Sequence, residues 1–493
     1  MVSLNFHIKR HILLICIAFS LLLFMFKTII FFTAKPKVKV NYVAEYNRIT
    51  RPADYDHNEN AAPYYEKAFG AFVLMPNDLK KPYKYWPSDF NSVEQSILED
   101  WLLSNGESFE CFRIAAKKPY FWLERWAKEN NWVNSILMPD LYQLRLLTEA
   151  IMWNAKLNVY NGRIEPAFKN VDVLDCSGSL KCRPALFIME QYLGIGIKNS
   201  ASLTAIEILE KVQVDSQALK SFQEKLQRRF DSDRYVPGFE AEKFLLYDAV
   251  QRIFIDNGRG TGRLAWSVGW YLDTSVGAWE NIIRRFRNCL FGPTRRETEH
   301  QIEQISVISN WVMGQTPWEI ENRRKNPFEK IQAIHESNFL LKLLGLNIKS
   351  IFERYHKTRT QTEALIAIVA ILRFKNDTNR FPETLEELAN TGYLKSVPMD
   401  PFSNGSLVYK VSGDNFTLYS VGSDFSDDGG ESEDVVHFIS IPFWGVGRSI
   451  EKPDIVYWPV RKIRKPTDEE LRQMRERMMK PFVTGPQRSD PNN

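Results

Sequence analysis

The stretch Ser420-Val421-Gly422-Ser423-Asp424-Phe425-Ser426-Asp427-Asp428-Gly429-Gly430-Glu431-Ser432-Glu433-Asp434 places six carboxylates and three glycines within fifteen residues. That density suits a hard cation, because calcium takes about six to eight oxygen ligands and glycine lets the backbone fold tightly around it. The candidate ligands are Asp424, Asp427, Asp428, Glu431 and Asp434, with calcium in a structural role. A solvated acidic turn is the competing reading of the same residues.

Motifs for catalysis are not found elsewhere. His335-Glu336-Ser337-Asn338-Phe339 lacks the second histidine of a zinc-protease helix, and no G-x-S-x-G elbow occurs. Of the seven histidines only His7 and His11 sit four apart, and no carboxylate or cysteine lies near them. Glu386-Glu387 and Glu469-Glu470 are adjacent acids of solvated helix faces rather than an acid and base pair. The glycine-rich run from Asn257 to Arg263 lacks the order of a phosphate loop and reads as a surface connection. Cys176 and Cys182 bracket five residues; a small disulfide loop and two free thiols both remain open. No catalytic residue is assigned.

The elements around the acidic loop follow from periodicity. Residues 364–374 form a strongly apolar helical stretch, and Arg380-Phe381-Pro382 opens a second helix through Leu385 and Leu388. Pro398-Met399-Asp400-Pro401-Phe402 is rich in turn formers. Leu407 to Val411 and Asn415 to Val421 then read as a hairpin joined at Ser412-Gly413-Asp414, and Ile439 to Val446 and Asp454 to Pro459 are the candidates for an added edge strand.

In their order these parts resemble the globular domain of the major pseudopilin of type II secretion, over about residues 358–436. The resemblance implies a helix packed on a small antiparallel sheet, with calcium held in the loop after the sheet. Asp424 is the position carried over most directly; Asp427 and Asp428 follow from the local pattern, and Glu431 to Asp434 compensate for Phe425, which stands where the family has glycine. The apolar segment over 12–32 shows no pseudopilin processing site or following glutamate and lies more than 300 residues from that helix, so assembly into a pseudopilus is not expected.

Composition supports several domains. The chain has 493 residues, of which 44% are hydrophobic and 25% charged, an ordinary globular balance. The net charge is +4, and the tail from Arg461 carries nine basic against five acidic residues, so the rest is neutral. That excludes a basic surface of the kind nucleic acid requires, and no nucleic-acid partner is expected.

Residues 12–32 are an apolar run broken by Ser20, Lys27 and Thr28. Twenty-one helical residues span about 30 Å, the width of a bilayer's hydrocarbon core, and the residues before Lys35 offer no signal-peptidase site. The expectation is a transmembrane anchor, with the membrane as a partner through residues 12–32 and a bacterial inner-membrane, single-pass placement whose body is periplasmic or otherwise exported. The body, residues 41–355, reads as mainly helical. Leu141, Leu144, Leu147 and Ile151 draw one apolar stripe and Ile302, Ile305, Ile308 and Trp311 another. Trp153 to Phe168 reads as helix, glycine turn, helix. Further helices are expected over Leu203 to Val212, Ser216 to Phe230 and Phe239 to Phe254, with Lys198-Asn199-Ser200 as polar punctuation before them. The aromatic segment Pro119 to Trp132, with Trp122, Trp126 and Trp132, reads as core packing, with a sugar or partner surface as its rival.

The expected fold class is therefore α+β: a tail over 1–11, one N-terminal transmembrane helix over 12–32, a large mainly helical body, a C-terminal α+β pseudopilin-like domain with an antiparallel sheet over 358–460, and a basic, partly disordered tail over 461–493. The expected function is a non-catalytic binding or scaffold role in the bacterial envelope, with envelope proteins of secretion-type machinery as partners. The alternative is a membrane-tethered hydrolase with its site in the helical body.

Overall fold

The computed structural model describes residues 2–80, 86–268, 278–345, 347–430 and 454–460, together with Glu469 and Arg472. It is mostly helical, with one three-stranded antiparallel sheet. The body is built on a helical hairpin, Pro139–Tyr160 and Ile164–Lys181, joined through Asn161 and Gly162. Gly162 has φ +74°, a conformation that glycine adopts without the steric cost of a Cβ. Leu144, Leu147 and Ile151 of the predicted stripe are buried in the main core.

The helix Ile188–Lys211 packs against Ile164–Lys181 at very close range. A Cβ added to Gly178 would lie 2.8 Å from the Gly194 carbonyl oxygen, and one on Gly194 the same distance from that of Gly178. Only glycine at both positions permits this crossing. The polar punctuation expected at Lys198-Asn199-Ser200 is instead helix interior. Its charge is met by tertiary partners, since Lys198 Nζ lies 3.2 Å from both Asp175 and Asp233, so polarity here marks a buried ion pair rather than a break.

The helix Ile348–Thr378 is longer than the apolar stretch that announces it. Residues Ala364 to Ile371 are all buried, packed on Ile188–Lys211 and Ser216–Ser232 on one side and on the sheet on the other. It ends at Asn379, whose φ of +57° is the left-handed cap that asparagine tolerates. One core cluster thus contains both the helical hairpin and the C-terminal sheet.

In that sheet, β1 (Val408–Ser412) pairs with β2 (Asn415–Ser420), and β3 (Ile455–Trp458) lies on the other side of β2; the other edge candidate, Ile439 to Val446, lies outside the described residues. The register sets Val408 opposite Tyr419 and Ser412 opposite Asn415, leaving a two-residue turn with Gly413 at φ +58°. A positive φ at the first turn position is what a hairpin turn of type II′ requires. Phe416 stacks on Trp458 with ring centroids 5.2 Å apart, and Phe381 covers Phe416 at 5.5 Å.

The N-terminal segment corrects the expected anchor over 12–32. It is helical, within Val2–Thr33, but no helix among the described residues is long and apolar enough to cross a membrane. Within the N-terminal helix Ile12 to Phe26 gives fifteen uncharged residues before Lys27, about 23 Å of helix against a hydrocarbon core of about 30 Å. Beyond Lys27 the last turn docks on the body instead. Phe31 lies 5.7 Å from Trp266 and 6.2 Å from Phe286, and Phe32 meets Trp266 at 5.2 Å. The expected single-pass inner-membrane placement is corrected with it.

Candidate functional site

Three places in the fold bring reactive or binding side chains together: the acidic loop, a buried ion network, and a cavity beside that network.

The acidic loop leaves β2 through Val421, whose N–H donates to Asp400 at 2.9 Å. Asp400 is buried and also accepts from Ser420 Oγ at 2.8 Å and from the Phe402 N–H at 3.0 Å. The Pro398 to Phe402 turn therefore clamps the start of the loop. Asp424 accepts the Ser426 N–H at 3.2 Å, and Asp427 accepts the Tyr419 hydroxyl at 2.7 Å and the Gly429 N–H at 2.8 Å. Asp428 and Gly430 donate their N–H groups to Asp454 at 3.1 and 2.7 Å. Phe425 has φ +64°, and Gly422, Gly429 and Gly430 are also left-handed. Among the described residues no three acidic, histidine or cysteine side chains form a group able to hold a metal; Glu431 and Asp434 lie outside the described residues. The Asp427 carboxyl is held below its ordinary range by the Tyr419 hydroxyl and the Gly429 N–H.

The second place was not read from sequence. Arg125 forms a fork onto Asp140, at 2.6 and 3.0 Å, and reaches Glu190 at 2.6 Å. Lys181 lies 3.1 Å from Asp140 and 3.3 Å from Glu190, with its ammonium 3.6 Å from the Phe121 ring centroid. The Tyr46 hydroxyl donates to Glu190. All five side chains are buried. Burial alone would push both carboxyls up, but Lys181 and Arg125 hold Asp140 and Glu190 below the ordinary carboxylate range. Two cations, two anions and one hydroxyl satisfy one another, so the network fastens the Tyr42–Thr50 helix, the Phe121 to Arg125 segment and three points of the helical core.

Beside it lies a cavity of about 510 Å³ between the first turns of three helices. The turn at Val133 to Ile136 and Met138 forms one wall; Leu141, Tyr142 and Arg145 come from Pro139–Tyr160. Phe187 and Met189 flank the start of Ile188–Lys211, and Glu242 and Leu245 come from Glu240–Ile253. Most walls are apolar. Glu242 is buried, and its Oε1 accepts the Ile188 N–H at 2.9 Å, whereas Oε2 has no hydrogen-bond partner among the described residues. Burial, with a further push from Glu190 and against the Ile188 N–H, raises the Glu242 carboxyl to about 8. Phe187 stacks on Tyr46 at 4.2 Å and so joins the cavity wall to the ion network.

The remaining chemistry is quiet. Cys176 and Cys182 are free thiols, and burial pushes the Cys182 thiol up to about 12. His356 is buried beside Phe352 and Tyr355, and desolvation holds it down to about 4. The aromatic segment does not pack wholly inside: Phe121 and Arg125 turn inward while Trp126 is 63% exposed. The glycine-rich run folds on the start of Arg295–Val312, where Arg295 and Arg296 donate to the carbonyls of Gly262 and Gly260.

One surface is strongly apolar. The Ala278–Phe291 helix presents Ile283, Phe286, Leu290 and Phe291 to solvent, with Phe291 80% exposed. It adjoins the last turns of the N-terminal helix, where Ile29, Ile30 and Phe32 are also exposed, and Phe286 bridges the two through Phe31; Phe19, Leu22, Phe24, Met25 and Phe26 are exposed further back on that helix.

The signals for the buried groups were present but faint. Glu190 stands inside the apolar run Ile188 to Ile197, Asp140 follows the helix-opening Pro139, and Lys181 lies between Leu180 and Cys182. A lone charge in an apolar setting is the only trace such a network leaves in one sequence. No known protein family, curated protein or solved structure matches the chain.

Proposed function

We propose that the protein is a non-catalytic binding or scaffold component that docks another protein on the apolar surface shared by the Ala278–Phe291 helix and the end of the N-terminal helix. The observation that carries this reading is the exposed pair Ile283 and Leu290, on one helix face either side of Phe286, which itself packs on Phe31 and Phe32 of a second exposed apolar helix. Contiguous apolar surface of this kind marks interaction sites, and a helical stripe fits a partner that offers an apolar helix or groove. The buried charges favour the same reading over hydrolysis, since Arg125, Asp140, Lys181 and Glu190 are fully occupied with one another.

The C-terminal module retains its resemblance to pseudopilins as a proposal, with envelope or secretion machinery as the source of the partner. Calcium belongs to this reading as a structural ion held by Asp424, Asp427 and Asp428 together with Glu431 and Asp434, since the first three do not converge by themselves. Equal melting in calcium and in chelator would remove the ion from the account. A photo-crosslinking residue placed at Leu290 tests the docking surface in the native host: one reproducible protein adduct supports it, and crosslinking to no protein contradicts it.

A further inference from the structure

The docking surface carries charge of one sign. Arg287 stands four residues after Ile283 and three before Leu290, so it shares their exposed helix face. Lys27 lies four residues before Phe31, and Lys35 and Lys37 follow Phe32 within five residues; all three are exposed. None of these four cations has an ion-pair partner among the described residues. The acids next to them are already engaged, Glu280 with Arg284 on the same helix and Asp256 with Lys39 and Arg295. Arg285, by contrast, turns inward and sets its guanidinium carbon 3.9 Å from the Trp266 ring centroid, holding the helix to the body.

We propose that the partner docked here is an amphipathic protein helix whose apolar face covers Ile283, Leu290 and Phe291 and whose carboxylates meet Arg287, Lys27, Lys35 and Lys37. This rests on the docking reading and names the chemistry of its partner. Exposed charges beside an apolar contact choose between partners, since like charges repel and opposite charges steer the encounter. A second copy of the chain would set the same four cations against themselves in a two-fold pairing. A lipid surface fits less well. Helices that lie on a bilayer keep their charges on the face opposite the apolar one, whereas Arg287 stands between Ile283 and Leu290. A carboxylate on a protein helix can meet a guanidinium there in a charge-assisted fork.

The probes are three covalently stapled helical peptides of about eighteen residues, five turns, which share one leucine face and carry glutamate, glutamine or lysine on the other. Fluorescence anisotropy on the full chain reads their binding. The glutamate peptide is expected to bind at least about tenfold tighter than the lysine peptide at about 0.05 M salt, with the glutamine peptide between them. That gap should close in about 1 M salt, where the Debye length falls to about 3 Å. Arg287→Glu combined with Lys35→Glu and Lys37→Glu should reverse the order, and Arg287→Gln alone should narrow it. Equal binding of all three peptides would overturn the acidic partner while leaving the docking surface in place. A preference for the lysine peptide, a gap that survives about 1 M salt, an unchanged order in both variants, or binding of phosphatidylglycerol vesicles in place of the glutamate peptide would overturn it too. So would binding of none of the three, and the crosslink at Leu290 then decides the docking reading separately.

Discussion

Glu242 caps a helix that is not its own: its Oε1 accepts the Ile188 N–H at 2.9 Å, at the start of the Ile188–Lys211 helix, where the preceding residue Phe187 supplies no side-chain cap. A carboxyl at a helix start is ordinarily favoured in its charged form. Here burial dominates and raises it to about 8.

Glu242 therefore contributes a pH-dependent part of the stability. Because its folded value lies above its ordinary value of 4.5, the folded state holds the proton more tightly, and that contribution is lost as pH rises from about 4.5 to about 8. The slope is at most about 1.4 kcal/mol per pH unit. Glu242→Gln should remove this component, so that the variant gains stability relative to the native chain as pH rises across that window. Denaturant melts at pH 5, 6.5 and 8 measure it; a constant difference between the two proteins would contradict the assignment.

Lys181→Met should destabilise the fold by about 3–5 kcal/mol, because it leaves the buried charges of Asp140 and Glu190 under-compensated. Urea unfolding at pH 7 reads the change. An effect below about 1 kcal/mol, the worth of an exposed pair, would show that the network is solvated.

Gly178→Ala should cost about 1–3 kcal/mol, as overpacking does in a closely packed core. The new methyl would meet the Gly194 carbonyl at 2.8 Å and Lys198 Cγ at 2.6 Å. Gly196→Ala, on the facing Ile188–Lys211 helix with open space around its Cβ position, is the control and should be neutral or slightly stabilising. Comparable melting temperatures for the two variants would contradict the close crossing.

Asp400→Ala should loosen the acidic loop from the sheet. It removes the acceptor for the Phe402 and Val421 N–H groups and for Ser420 Oγ, at about 1–3 kcal/mol for a buried donor left unpaired. Hydrogen exchange at Val421 should rise well before exchange at Leu418 in the middle of β2. Unchanged exchange at Val421 would show that the clamp is not needed.

How legible these features were depends on which physical signal each leaves. The hairpin at Gly413 and the helix over residues 364–371 were plain, because alternation, a glycine turn and an unbroken apolar run each admit one local structure. The edge strand Ile455–Trp458 was visible for the same reason. Lys198-Asn199-Ser200 was misread because a polar triplet looks alike in a loop and in a helix whose partners, Asp175 and Asp233, are distant in sequence. Arg125, Asp140, Lys181, Glu190 and Glu242 escaped for that reason too, since each alone resembles a solvated charge. The N-terminal run was apolar as read, but its hydrophobicity could not reveal that Phe31 and Phe32 turn back onto Trp266 and Phe286.

The docking surface is the centre of the account, and quantitative affinity capture of the native chain beside an Ile283→Glu, Leu290→Glu variant tests it most directly. Val307→Glu, at an exposed position on the separate Arg295–Val312 helix, is the control for added surface charge. The account predicts one reproducible partner whose recovery falls at least about tenfold in the double variant, equivalent to about 1.4 kcal/mol, and is unchanged in the control. Equal recovery from all three proteins, or no reproducible partner from the native chain, would contradict it.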